Sequence, residues 1–153
     1  MIKSFLIAAT IIIGSSTGCF AKKEALSFQS LDFLDSMDSS VFKGEIVVSK
    51  ARYFLVHGYK NKRQIDIAID SFANKIYSED SIGLNQYSVF FYKKSKETTY
   101  GNLHKNPRVL DRYSNIHDLL FEFQWWKGKF LIRHKFKNGK ISEPKRKIEI
   151  DDI

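Results

Sequence analysis

Two glycine-containing turns near the C-terminal end constrain this chain more than any other feature. Residues 119–126 (LLFEFQWW) precede Lys127-Gly128, residues 129–136 (KFLIRHKF) follow it, and Asn138-Gly139 comes next. Asn-Gly between alternating apolar runs is the strongest short hairpin signal, because both central residues of a type I′ turn need positive φ. A two-residue turn at Lys127-Gly128 pairs Trp126 with Lys129, Trp125 with Phe130, Phe123 with Ile132, Phe121 with His134 and Leu119 with Phe136. One face is then apolar apart from the imidazole, and the other pairs Glu122 with Arg133 and Gln124 with Leu131. A slip of one residue would turn every side chain over, so this register is predicted to be well specified. The second turn closes 129–137 onto 140–143, sets His134 opposite Glu143 and lets Pro144 end the pairing. The segment therefore predicts a three-strand β-meander.

Upstream, residues 51–58 (ARYFLVHG) and 86–94 (QYSVFFYKK) are apolar and aromatic on both faces, as central strands are. Between them Ile65, Ala68, Ile69, Phe72 and Ile76 recur at helical spacing, predicting a helix over 62–77 with Asn61 as its cap. Ile67 falls on the opposite side of that helix. Residues 95–116 read as a long polar connection. The order β-α-β, long loop, three-strand β-meander predicts an α+β fold of two layers, one main helix packed on a mainly antiparallel sheet.

The chain's 153 residues fit a signal-like segment at 1–21, a lead-in at 22–49 and a single α+β domain at 50–153. In the lead-in, Leu26, Phe28, Leu31, Leu34 and Met37 suit a short amphipathic helix with Ser30 as a cap, or a tether that docks in part. The net charge of +8 is concentrated in the body: residues 50–147 carry 21 basic and 9 acidic side chains. A single cysteine excludes a disulfide scaffold and a Cys-rich metal cluster.

Residues 1–21 (MIKSFLIAATIIIGSSTGCFA) have a basic Lys3, a short apolar run from Phe5 to Ile13 and a small polar stretch, the layout of a secretory signal peptide. The run is too short for a membrane-spanning helix. Ser16-Thr17-Gly18-Cys19 resembles the lipobox of bacterial lipoproteins. That resemblance implies diacylglycerol attachment at Cys19 and a mature chain beginning there. The other reading of the same residues is cleavage after Ala21, with Cys19 and Ala21 as the small residues of the cleavage site.

Phosphate-loop, dinucleotide, zinc-protease, nucleophile-elbow and CxxC motifs are absent. No cofactor or metal is expected, since His57, His104, His117 and His134 form no i,i+4 pair. Two regions stand out as surfaces. The segment 99–118 gathers His104, Arg108, Arg112, Tyr113 and His117. The outward face of the meander carries Trp126, Lys129, Arg133 and Lys135, cations interleaved with an aromatic. The expected function is a small exported envelope protein, lipid-anchored or periplasmic, that binds without catalysis through a basic, aromatic surface. Its binding residues are Trp126, Lys129, Arg133, Lys135, Arg108 and Tyr113. An acidic protein or an anionic envelope surface is the expected partner, and nucleic acid is not. Charge reversal at Arg133 and Lys135 is expected to abolish such binding. The alternative is an exported hydrolase of phosphodiesters, with His104 and His117 as acid and base and Arg112 stabilising developing charge.

Overall fold

A computed structural model of the chain describes residues 24–107 and 117–145. The elements run β1 (Ser27–Ser30), a 3-10 turn (Asp32–Leu34), β2 (Ser36–Phe42), β3 (Glu45–His57), α1 (Arg63–Asp80), β4 (Gln86–Lys93), α2 (Tyr100–Lys105), β5 (Leu119–Trp126), β6 (Lys129–Lys137) and β7 (Lys140–Lys145). All seven strands form one sheet in the order β1-β3-β4-β5-β6-β7, with β2 on the same side of β3 as β1. The fold is α+β, with one main helix and a mostly antiparallel sheet. Only β3 and β4 pair in parallel among the described residues, and α1 lies between them in sequence.

Helix α1 begins at Arg63 with Lys62 as its N-cap residue and runs to Asp80, three residues beyond the expected end. Asn61 does not cap it. Its Oδ1 instead accepts a hydrogen bond from Lys135 Nζ at 2.9 Å. The apolar stripe behaves as its spacing predicts: Ile69 and Ala73 are fully buried, and Ile65, Phe72 and Ile76 pack around them. They meet Phe54 and Val56 of β3, Tyr87, Val89 and Phe91 of β4, and Phe121, Phe123 and Trp125 of β5. Ile67 points away and is exposed. Each fully buried side chain of this size contributes about 1.5–3 kcal/mol.

The opposite face of the sheet holds a second cluster at one end: Leu31, Leu55, Tyr92, Leu103, Leu119 and Phe136. Leu103 belongs to α2, which falls within the expected long connection and is capped by Thr99, whose Oγ1 accepts from Asn102 N–H at 3.2 Å. Central strands β3 and β4 are thus covered on both faces there, which is why their sequences are apolar at consecutive positions.

Two expectations are corrected. Residues 24–49 contain no α-helix. Phe28 sits on β1 and stacks on Phe72 of α1 at 4.3 Å, while Lys43-Gly44 turns β2 back onto β3. Of the apolar residues read as one helical stripe, Phe28 and Met37 lie on two different strands, Leu34 lies in the 3-10 turn, and Leu26 and Leu31 lie just before β1 and that turn. The second correction concerns the meander. Trp126–Lys129 and Trp125–Phe130 pair as expected, but a bulge then intervenes. Beyond it Gln124 faces Ile132, Phe123 faces Arg133, Glu122 faces His134 and Phe121 faces Lys135. A second irregularity, next to Phe136, sets Glu143 opposite Lys135 and Pro144 opposite His134. One extra residue in β6 exchanges the faces of all side chains that follow, as pleating demands.

Candidate functional site

The bulge decides what the cations of β6 do. Arg133 and Lys135 turn toward α1, where the helix presents Asp70 and Asp66. Arg133 Nε lies 2.8 Å from Asp70 Oδ1, and Lys135 Nζ lies 2.6 Å from Asp66 Oδ2. Both cations also lie against the Phe121 ring, at 5.1 and 5.9 Å from its centroid. Lys135 is only 8% exposed. These are interlayer ion pairs on the helix side of the sheet, rather than an outward basic face. Lys129 remains exposed, and Trp126 is half-buried with its ring edge-on to Phe42 at 6.0 Å.

A second ionic cluster joins the other end of α1 to β3. Asp80 Oδ2 accepts from Arg52 Nη1 at 2.8 Å and from the Tyr87 hydroxyl at 2.9 Å, while its Oδ1 accepts from Lys50 Nζ at 2.6 Å. Burial alone would raise the Asp80 carboxyl, but these three hydrogen bonds outweigh it and hold the group below its ordinary value. Arg52 Nε also contacts Asp35 Oδ2 at 2.6 Å. There burial outweighs the guanidinium, and the Asp35 carboxyl is pushed up to about 6. Burial and the Asp80 bond together raise the Tyr87 hydroxyl and keep it protonated.

The histidines serve separate places. His104 packs against Phe33 at 5.1 Å and Tyr100 at 6.1 Å. His117 is exposed in the turn before β5. His57 bridges Glu24 and Gln29 at 3.1 and 2.9 Å. His134 Nδ1 lies 3.5 Å from the buried Glu122. Among the described residues no three His, Cys, Asp or Glu side chains are grouped to hold a metal ion. Arg108, Arg112, Tyr113 and Cys19 lie outside the described residues, as does the whole segment 1–21. Among the described residues, no helix is long and apolar enough to cross a membrane.

The face opposite α1 carries a groove of about 430 Å³ over β2, β3, β4 and β5. Pairing explains its lining. Ser36 and Asp38 of β2 sit beside Ala51 and Ser49 of β3, which sit beside Ser88 and Gln86 of β4, and Gln124 of β5 lies next to Ser88. These small side chains leave a trough. Its floor at one end is the Tyr53–Phe90 pair, stacked at 5.1 Å with an angle of 16° between the rings. Gln124 donates to Glu122 Oε1 at 2.6 Å, which fixes its amide at the rim. Lys50 enters only through its backbone side of the strand, since its ammonium is bound to Asp80 on the other face. The trough therefore combines neutral amides and hydroxyls, one carboxylate and an aromatic floor. None of these positions stands out in the sequence. The one available signal is the alternation within QYSVFFYKK, where Gln86 and Ser88 share a face and Tyr87, Val89 and Phe91 share the other.

No protein-family model, no curated protein and no solved structure matches this chain.

Proposed function

We propose that this protein is a non-enzymatic binding module of the bacterial cell envelope. In this reading residues 1–21 direct export, and Cys19 carries the lipid that holds the mature chain to a membrane. The scaffold is two-layered, with α1 buttressing one face of the sheet and leaving the other for ligand. The observation that carries the reading is the trough between β2 and β5, with its stacked Tyr53–Phe90 floor and its Gln86 and Gln124 amides. Ligand sites combine apolar walls with a few placed polar groups in this way. Amides donate and accept at once, so they suit hydroxyl groups, and an aromatic face suits the C–H face of a pyranose ring. The ligand of best chemical fit is a sugar chain lying along the trough. Arg133 and Lys135 take no part, because Asp70 and Asp66 neutralise them.

The test is co-sedimentation with purified cell-wall glycan, comparing the natural chain with Q86A/Q124A and with F90A. Retention by the natural chain and at least a tenfold weaker retention by both variants is the expected result. Equal retention by all three, or none by the natural chain, would refute the assignment.

A further inference from the structure

Strand β2 is an edge strand, and all seven of its residues are exposed. Among the described residues nothing pairs with its outer side. Backbone direction along it follows from one local observation. Val48, opposite Ser39, gives its N–H to Asn85 Oδ1 at 2.8 Å and accepts from Asn85 N–H at 2.9 Å. Both its backbone groups point away from β2, so Ser39 and Val48 form a non-hydrogen-bonded pair. The alternation of an antiparallel ladder then sends the N–H and C=O of Met37, Ser39 and Val41 outward, to the unpaired side.

Natural sheets guard such edges with lysine, proline or a bulge. The opposite edge follows this rule: β7 contains Lys140, Pro144 and Lys145. Strand β2 (SMDSSVF) has no lysine or proline, and its pairing with β3 has no bulge. Met37 and Val41 are 67% and 73% exposed, and Ile46 beside Val41 is 71% exposed. The strand is also self-complementary. Turned end over end about Ser39, it sets Met37 against Val41 and Asp38 against Ser40, so no like charges meet. Its ends differ in sign: Asp32 and Asp35 precede it, with Asp32 78% exposed, and Lys43 follows it at the hairpin tip. The same rotation brings each Lys43 to the other copy's acidic end.

We propose that β2 is a homodimer interface, in which two copies of this chain pair antiparallel through β2 about a two-fold axis at Ser39. The pairs Met37–Val41, Ser39–Ser39 and Val41–Met37 supply about six inter-strand hydrogen bonds, two from each pair. The axis stands perpendicular to the joined sheet, so both troughs open on the same side. Ser36 and Asp38 of each copy then line the seam, and the two troughs form one longer surface. The proposal does not depend on what the trough binds.

Sedimentation equilibrium of the isolated protein tests it, with variants at exposed positions and circular dichroism to verify folding. The natural chain is expected at twice the monomer mass. M37K/V41K places lysine against lysine twice and is expected at the monomer mass. M37K/V41D places lysine against aspartate twice, in this register only, and is expected to restore the dimer. Oxidised D38C/S40C gives an independent reading: Asp38 meets the other copy's Ser40 in a non-hydrogen-bonded pair, whose Cα atoms lie about 4.5 Å apart, within disulfide reach, so a cross-linked dimer is expected. A natural chain that stays monomeric at its highest soluble concentration overturns the proposal, even where it takes up a strand from another protein. A dimer that survives M37K/V41K, or a D38C/S40C chain that does not cross-link, overturns it as well.

Discussion

Arg52 holds two carboxylates that titrate in opposite directions. Asp80 lies below its ordinary value, because the bonds from Lys50, Arg52 and Tyr87 outweigh its burial. Its contribution is present above the unfolded-state value and is lost as pH falls through the lower, folded-state one. D80N is therefore expected to cost about 1–3 kcal/mol at neutral pH, with the difference from the natural chain closing in acid. Asp35, which burial pushes up to about 6, contributes with the opposite sign. Its stabilisation is complete below about pH 4 and is lost as pH rises through about 6. That decline should be absent from D35N. Urea unfolding across pH 3 to 8, run on all three chains, reads both effects, and a pH-independent D80N difference would contradict this account of the cluster. Arg133 and Lys135 answer a different question. An outward basic face would tolerate R133E/K135E in the folded state. Set against Asp70 and Asp66, the same double variant is expected to lose at least about 3 kcal/mol of stability, measured by thermal or urea unfolding.

At the scale of elements, three two-residue turns organise the antiparallel hairpins. Lys43-Gly44, Lys127-Gly128 and Asn138-Gly139 all have positive φ at both positions, as type I′ turns require. A Cβ at Gly44 meets nothing within 4 Å, so G44A should cost only the backbone strain of about 1 kcal/mol. Gly58 is different. A Cβ there would lie 2.4 Å from the Glu24 carbonyl oxygen and 2.6 Å from that of Ala25. G58A is expected to displace the start of β1 and to cost clearly more than G44A, which hydrogen exchange of residues 24–30 would show. The two later turns, the helix stripe from Ile65 to Ile76 and the central strands were legible because each depends on neighbours within a few residues. The bulge in β6 was not. It exchanges a locally regular register for one that sets Arg133 and Lys135 against Asp70 and Asp66, and that gain comes from a helix some 65 residues upstream. Strand β1 was illegible for a similar reason: Phe28 is strand-like because Phe72 stacks on it, which no local pattern records.

At the scale of the molecule, the sheet divides the chemistry of the chain between its faces. The helix side combines an aromatic core with two ionic clusters, one at each end of α1. The other side combines an apolar end, closed by α2, with the trough above Tyr53 and Phe90. Net charge alone pointed to a basic binding surface, yet the cations nearest the sheet centre are paired within the fold. The trough had no sequence signature because its residues come from four strands and are ordinary one by one. Only the pairing of Ser49, Ala51, Ser88 and Gln124 across β3, β4 and β5 reveals that their small or neutral side chains adjoin. The most direct measurement is light-induced cross-linking in living cells, with a photoreactive residue at Ser36 or Ser49 in the trough and at Ile67 on the outer side of α1. The account predicts adducts from the two trough positions and none from Ile67. Adducts confined to Ile67, or their absence from both trough positions, would contradict it.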